Sequence, residues 1–295
     1  MTTRSSRLGL GSVQWGLDYG VANRDGIAPA AEVARILTEA RSVGIDLIDT
    51  AALYGESEAV LGQQQLGGFR IVTKTSKIAG SSVGASDVRT LLQTFKRSLD
   101  RLGASSVYGL LVHQADDLMA PGGEHLLEAL QALQQAGRVQ RIGASIYTGE
   151  QIRRLLEHFT PDIVQLPLNV LDQRLIEDGS LSLLKSRGVE VHARSALLQG
   201  LLVMAPSEVP AYFEPIRHKL AAWHDACQEQ SMSPLQAALG FVCDTEGVDR
   251  CLIGVQSLSQ LKACLHAVEL PGGFLGQGMA SNDPAFVNPA QWRLV

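Results

Sequence analysis

The sequence predicts an α/β protein: a parallel (β/α)8 TIM barrel with an extra helix before the last βα unit and a C-terminal loop over the barrel mouth. Three observations predict it. Eight short runs rich in Val, Ile or Leu recur along the chain, as fully buried parallel strands do. Amphipathic stretches of helical period fill the intervals between them. Such alternation requires right-handed crossovers and a parallel sheet, and eight repeats fit a closed barrel better than an open doubly wound sheet.

In chain order, the first strand candidate is Leu8–Gly11. A helix follows in which Val33, Ile36, Leu37, Ala40 and Val43 share one face, leading to strands at Ile45–Asp49 and Arg70–Lys74. Val88, Leu91, Leu92, Phe95, Leu99 and Leu102 form the stripe of the next long helix, and strands follow at Tyr108–His113 and Arg141–Ser145. Thr148 with Gln151 opens another helix: the hydroxyl can satisfy one orphan N–H while the Gln reaches back to another. Strands at Asp162–Leu166 and Val189–Arg194 come next. The interval to the eighth strand, Cys251–Gly254, is too long for one helix. Pro206, Pro210 and Pro215 break its first part, Tyr212–Glu229 reads as the additional helix, and Ser233 with Gln236, around Pro234, opens a helix running to Cys243. Ser257 with Gln260 opens the last one. The stretch Pro271–Val295 carries Gly, Pro and Asn signals without periodicity. It reads as a loop folded over one barrel end, because it still holds Phe274, Phe286 and Trp292. All 295 residues are expected to form one domain.

Composition narrows the function classes. An apolar fraction of 45% and a charged fraction of 19% are ordinary for a protein with a large buried core. A chain this long buries about three quarters of its unfolded surface, so stability needs neither disulfides nor a metal. The net charge of −5 and the lack of any dense Lys/Arg block argue against nucleic acid as a partner. No stretch reaches the roughly 18 consecutive apolar residues of a membrane helix. Met1 to Arg7 lacks the apolar run of a signal peptide, so no membrane partner and a cytoplasmic location are expected. Cys227, Cys243, Cys251 and Cys264 form no CxxC pair and read as reduced thiols. The seven histidines show neither HxxxH nor HExxH spacing, so no metal site is expected, and no GxSxG supports a serine hydrolase. Gly9-Leu10-Gly11 lacks the third glycine and the later acidic residue of a Rossmann fingerprint.

In barrels of this kind chemistry sits at the C-terminal ends of the strands. Asp49 ends one strand, with Tyr54 on the loop behind it; Lys74 ends the next and His113 the one after. Taken singly, each residue has a structural explanation: a cap, a solvated cation, a packed ring, a hydrogen-bonded imidazole. Taken together, an acid, a base and a phenol on one rim are what proton-transfer chemistry needs. Trp15, Asp18 and Tyr19, after the first strand, either line a substrate pocket or pack the barrel mouth; Trp15 and Tyr19 are the pocket candidates.

Asp49-Thr50-Ala51-Ala52-Leu53-Tyr54-Gly55, followed by Ser57-Glu58 and Leu61-Gly62, resembles the signature of the aldo-keto reductase family, and the opening Leu8-Gly9-Leu10-Gly11-Ser12-Val13-Gln14 resembles its bacterial members in particular. Lys74-Thr75, His113, Arg141 to Ser145, Gln165 and Gln199-Gly200-Leu201 fall in the family's order, so the resemblance runs from Leu8 to about Cys264. It implies reduction of an aldehyde or ketone by hydride transfer from NADPH, with NADH as the alternative and a small carbonyl compound as substrate. Tyr54 would be the proton donor, Lys74 would lower its pKa, Asp49 would hold Lys74, and His113 would orient the substrate oxygen. Ser145 and Gln165 would bind the nicotinamide carboxamide. The segment with Ser195, Leu197, Gln199 and Gly200 would cross the pyrophosphate, and the helix from Ser257 would face the adenosine phosphate, near Gln260. Gly11, Ser12 and Gly254 complete the implied cofactor set.

Three departures from the family pattern stand out. Ile146 replaces an Asn that often follows the carboxamide-binding Ser. Arg194 stands where an aromatic ring often stacks on the nicotinamide, either stacking in its place or pairing with a loop carboxylate. Gln260 and Cys264 replace an Arg and an Asn. Two other readings compete: a nucleotide-holding, redox-sensing subunit with little turnover, and an aldolase using Lys74 as a Schiff base, which Asp49 argues against by keeping the lysine charged.

Overall fold

The computed structural model describes residues 4–292 apart from Ala79, Leu275 and Gln277. Its strands are β1 (Leu8–Gly11), β2 (Leu47–Asp49), β3 (Arg70–Lys74), β4 (Val107–Val112), β5 (Val139–Ser145), β6 (Ile163–Pro167), β7 (Glu190–Arg194) and β8 (Arg250–Gly254). They close in chain order into a parallel barrel, with β8 pairing back onto β1. All eight expected strands are present, with ends shifted by at most two residues. His113 therefore sits one residue past β4 rather than at its end.

The site follows from the two-residue period of the strands. Leu47, Val72, Leu111, Ile163 and Leu252 point inwards and form a small apolar plug inside the barrel. Their neighbours Ile48, Ile71, Leu110, Val164 and Ile253 point outwards into the larger core beneath the helices. Burying each such side chain stabilises the fold by about 1.5–3 kcal/mol. One step of two residues above the plug, the same strands and the residue after β4 present Asp49, Lys74, His113, Gln165 and Gly254; Ser145 and Arg194 end β5 and β7 beside them. The polar rim is thus the inward layer directly above the plug.

The helix starts behave as expected where a hydroxyl precedes them. Thr148, Ser233 and Ser257 each accept a hydrogen bond from the backbone N–H three residues on. Gln151 completes a capping box, whereas the Gln236 amide turns away to the Pro271 carbonyl, at 3.0 Å. The expected helix Tyr212–Glu229 is only partly α-helical. Ala211–Ile216 forms 3₁₀ turns, and the α-helix begins at Arg217 because Pro215 has no N–H to donate.

The tail is more ordered than its lack of periodicity suggested. It holds a helical turn at Pro284–Val287 and a 3₁₀ turn at Pro289–Gln291, capped by Asp283 and Asn288. It does fold over one barrel end. Phe274 packs edge-on against Trp223 with centroids 5.0 Å apart, and Trp292 against Phe213 at 4.9 Å. With Val170, Leu198, Leu201, Leu220 and Val287 these rings form a second core, separate from that of the barrel. Among the described residues no helix is long and apolar enough to cross a membrane.

Candidate active site

A cavity of about 530 Å³ opens at the C-terminal end of the barrel. Its floor is the polar rim. Lys74 and Asp49 are almost wholly buried, and the Lys74 ammonium lies 2.8 and 2.7 Å from the two Asp49 oxygens and 2.9 Å from the Thr50 carbonyl. Gln165 donates to Asp49 Oδ1 at 2.7 Å. The same ammonium also reaches the Tyr54 hydroxyl at 3.3 Å, sharing its three protons among four acceptors. Tyr54 is brought there by a tight turn in which the Ser57 N–H donates to its carbonyl at 3.0 Å. That turn requires Gly55: its φ is +54°, and a Cβ there would lie 2.3 Å from the Gly16 carbonyl oxygen.

Burial works against charge on Lys74, but Asp49 and then Tyr54 overcome it and the lysine's pKa rises. The ammonium form is therefore held at neutral pH, which disfavours Schiff-base chemistry. Tyr54 departs from expectation. Burial pushes its pKa up, Lys74 pulls it down, and Asp49 pushes it up again, with a net rise. The lysine's pull is present, but burial first and the Asp49 charge second outweigh it. His113 is half-buried, and its backbone N–H donates to Thr75 Oγ1 at 3.2 Å. Burial, then the neighbouring Lys74, Lys77 and Arg194 charges, push its pKa down to about 3. Its imidazole is thus neutral at physiological pH, and Nδ1 has no partner.

The roof is the segment after β7. Ser195, Leu198, Gln199 and Gly200 all have positive φ, a conformation that costs non-glycine residues about 1 kcal/mol or more each. The surroundings hold it. Asn169 donates to the Ser195 carbonyl at 3.1 Å, Ala22 N–H to the Gln199 carbonyl at 3.2 Å, and Leu198 is buried in the second core. The Gln199 amide reaches the Tyr19 hydroxyl at 3.0 Å, so the loops after β1 and β7 meet across the mouth.

A sequence-family model described as the aldo/keto reductase family matches residues 7–272. The chain belongs to the aldo/keto reductase family. It is 27% identical over 299 residues to the uncharacterized oxidoreductase YrpG of Bacillus subtilis, covering 90% of this chain and 88% of the relative. It is 27% identical over 322 residues to the protein Tas of Escherichia coli, covering 90% of each. An aldo-keto reductase from Bacillus halodurans, solved in a holo form, superposes with a TM-score of 0.73 at 22% identity, over 90% of this chain and 88% of that one. That last likeness speaks for the fold. Family membership makes the chain an oxidoreductase whose general chemistry is reduction of small carbonyl compounds.

In this aldo/keto reductase the cavity gathers Asp49, Tyr54, Lys74, His113, Gly11, Ser145, Gln165, Arg194, Ser195, Leu197, Gln199, Gly200, Gly254, Gln260 and Tyr19. Three expected site residues lie outside its lining. Ser12 is one step beyond inward-facing Gly11, so its side chain faces away and meets the Ser57 hydroxyl at 2.7 Å. Ser257 spends its hydroxyl capping its own helix, accepting from Gln260 N–H at 3.2 Å. Trp15 is fully buried and donates to the Val255 carbonyl at 2.8 Å, which makes it packing rather than pocket.

Arg194 is stacked, but on a protein ring: its guanidinium carbon lies 4.2 Å from the Tyr147 centroid. Among the described residues no carboxylate pairs with it, and its hydrogen bonds go to Ser195 Oγ and the Ile146 carbonyl. Tyr147 was missed by sequence reading, although it stands two residues after Ser145 and just before a helix cap. Gln14, Asn23, Gln256 and the tail residues Pro289 and Ala290 also line the cavity and had no local signal.

Proposed function

We propose that this chain reduces an aldehyde or ketone to an alcohol, using a reduced nicotinamide dinucleotide held in the cavity and Tyr54 as the proton donor. The observation that carries this reading is the buried Asp49–Lys74–Tyr54 chain on the cavity floor, with neutral His113 beside it. The wall also suits a nicotinamide dinucleotide. The amide and hydroxyl of Gln165 and Ser145 face the cavity, and two buried atoms on its lining, Gln14 Oε1 and His113 Nδ1, lack a partner. Bound there, the nucleotide would supply the hydride.

The chain's own residues then handle the oxygen. Tyr54 hydrogen-bonds the substrate oxygen and passes it a proton as negative charge develops. Lys74 stabilises the resulting phenolate, and Asp49 keeps Lys74 charged and aimed. His113, neutral across the physiological range, orients that oxygen without competing as an acid. The resemblance implies NADPH first and NADH second, a choice that turns on the far end of the cavity.

The test is consumption of NADPH and NADH by the purified protein against a panel of aldehydes, ketones and sugars. Tyr54→Phe keeps the ring and deletes the proton, so it should retain nucleotide binding and lose turnover by about 100-fold or more. Retention of half the activity would overturn Tyr54 as the acid. Binding without turnover across the whole panel would overturn the reductase reading.

A further inference from the structure

The far end of the cavity carries an unexpected charge pattern. β3 and β4, which bring Lys74 and His113, lie across the closed barrel from β7 and β8. A long ligand with its reacting end at Tyr54 extends under the Ser195–Gly200 segment towards Gln256, Gln260, Ala263 and Cys264, with Asn23 facing them. Those side chains are neutral. Among the described residues, the lysines and arginines lining the cavity are Lys74 and Arg194, both belonging to the reacting end.

The start of the helix Leu258–Glu269 would ordinarily offer free N–H groups to an anion. Here a carboxylate from another element has taken that place. Glu32, in the first turn of the helix Ala30–Ser42, accepts the Leu258 N–H through Oε1 at 2.6 Å. Its other oxygen pairs with Arg35 on the same helix. Gln260 N–H goes to Ser257 Oγ, and Gln256 N–H goes to Gln260 Oε1 at 2.7 Å. Arg24 and Lys262, the other cations on the flanking segments, are exposed; like Glu32 and Arg35 they flank the cavity rather than line it.

Resting on the reading that the cavity binds a nicotinamide dinucleotide, we propose that Glu32 makes this chain select NADH by excluding the 2′-phosphate of NADPH from the start of the helix Leu258–Glu269. A ribose hydroxyl donates to carboxylates and accepts from amides, so it suits this wall. A phosphate only accepts, and it brings up to two negative charges to an end where Glu32 holds both the leading N–H and the local arginine. Selection is thus by repulsion, and it runs against the NADPH expectation drawn from the family resemblance.

The test is fluorescence titration of the wild type, Glu32→Gln and Glu32→Ala with NADH and NADPH, without substrate, alongside thermal denaturation to establish that each variant is folded. The wild type should bind NADH about tenfold or more tightly than NADPH. Glu32→Gln removes the charge and Glu32→Ala also frees the Leu258 N–H, so the ratio should move towards NADPH by about tenfold, with the alanine variant moving further. The shift should come mainly from tighter NADPH binding, while affinity for NADH should fall rather than rise, because the ribose hydroxyl loses a carboxylate acceptor. Equal or tighter binding of NADPH by the wild type would overturn the proposal, as would an unchanged ratio in both variants. If the wild type binds neither nucleotide, the parent reading of the cavity fails and this inference with it. If it binds both but never turns over a carbonyl, only the reductase reading fails.

Discussion

At the lower end of the barrel Asp46 pairs with Arg70 at 2.8 Å and Arg250 at 3.4 Å, while Glu190 meets Tyr108, His192 and the more distant Arg141. At the upper rim, on the same strands, one lysine and one aspartate meet in nearly complete burial. The ions differ in their access to water: Arg70 and Asp46 side chains are 31% and 42% exposed, Lys74 and Asp49 1% and 6%. Partly solvated pairs stabilise little individually, and losing one leaves groups that water can serve. A buried pair is costly to assemble, and breaking it strands an ion in a poorly polarisable interior. Barrel stability and the proposed chemistry therefore rest on charges of the same kind in opposite surroundings.

The sharpest way to break this comparison is Lys74→Met. It leaves Asp49 buried beside an apolar chain and should cost about 3–5 kcal/mol in urea denaturation, besides abolishing turnover. Adding Asp49→Asn should recover most of that stability and none of the activity. A Lys74→Met protein as stable as the wild type would mean that the upper pair behaves like the lower ones.

The matching substitution below is Glu190→Gln, expected to cost about 1 kcal/mol and to leave turnover unchanged. It should also change the pH dependence. Burial pushes the Glu190 carboxyl up, but His192 and Tyr108 pull it down further, for a net fall below its ordinary value near 4.5. The carboxylate's contribution is then complete above that value and is lost as pH falls through the folded pKa. The difference in Tm between wild type and variant should stay constant from pH 8 to about pH 6 and shrink under more acidic conditions. A difference that widens with acid would contradict the assigned sign.

At neutral pH the smallest effect is at His113. With its pKa near 3, the folded ring takes up no proton where the unfolded ring does, below its ordinary value of 6.5. Its contribution to stability is complete above that value and declines as pH falls towards 3. Imidazole NMR signals should stay in place between about pH 8 and pH 5. A midpoint near the ordinary value would place the ring in water.

The eight strands were legible because buried parallel strands are written as local apolar runs, and Asp49, Tyr54, Lys74 and His113 because strand ends and a dense motif mark them. What local pattern could not reveal was side-chain direction. Ser12 and Trp15 lie on the expected loop, but a single step along the backbone turned the serine away, and the 3₁₀ turn Val13–Trp15 accompanies burial of the indole. Nor could it show contacts between distant elements. Glu32 reaches Leu258 across 226 positions of chain, and the tail residues Pro289 and Ala290 arrive at the cavity through aromatic packing, not through any motif of their own.

The second core has a consequence for the order in which the molecule can be made. It joins residues from Val170 to Val287, so it is complete only once Val287 has been synthesised. β1 likewise waits for β8, whose residues Cys251 to Gly254 pair with Leu8 to Gly11. On a ribosome, β1 gains its partner β2 early, but its other edge stays unpaired until the eighth strand is translated. The roof segment near Leu198 meanwhile has no Phe274 or Val287 to pack beside. Barrel closure and roof support are therefore late events, each waiting for residues beyond Arg250.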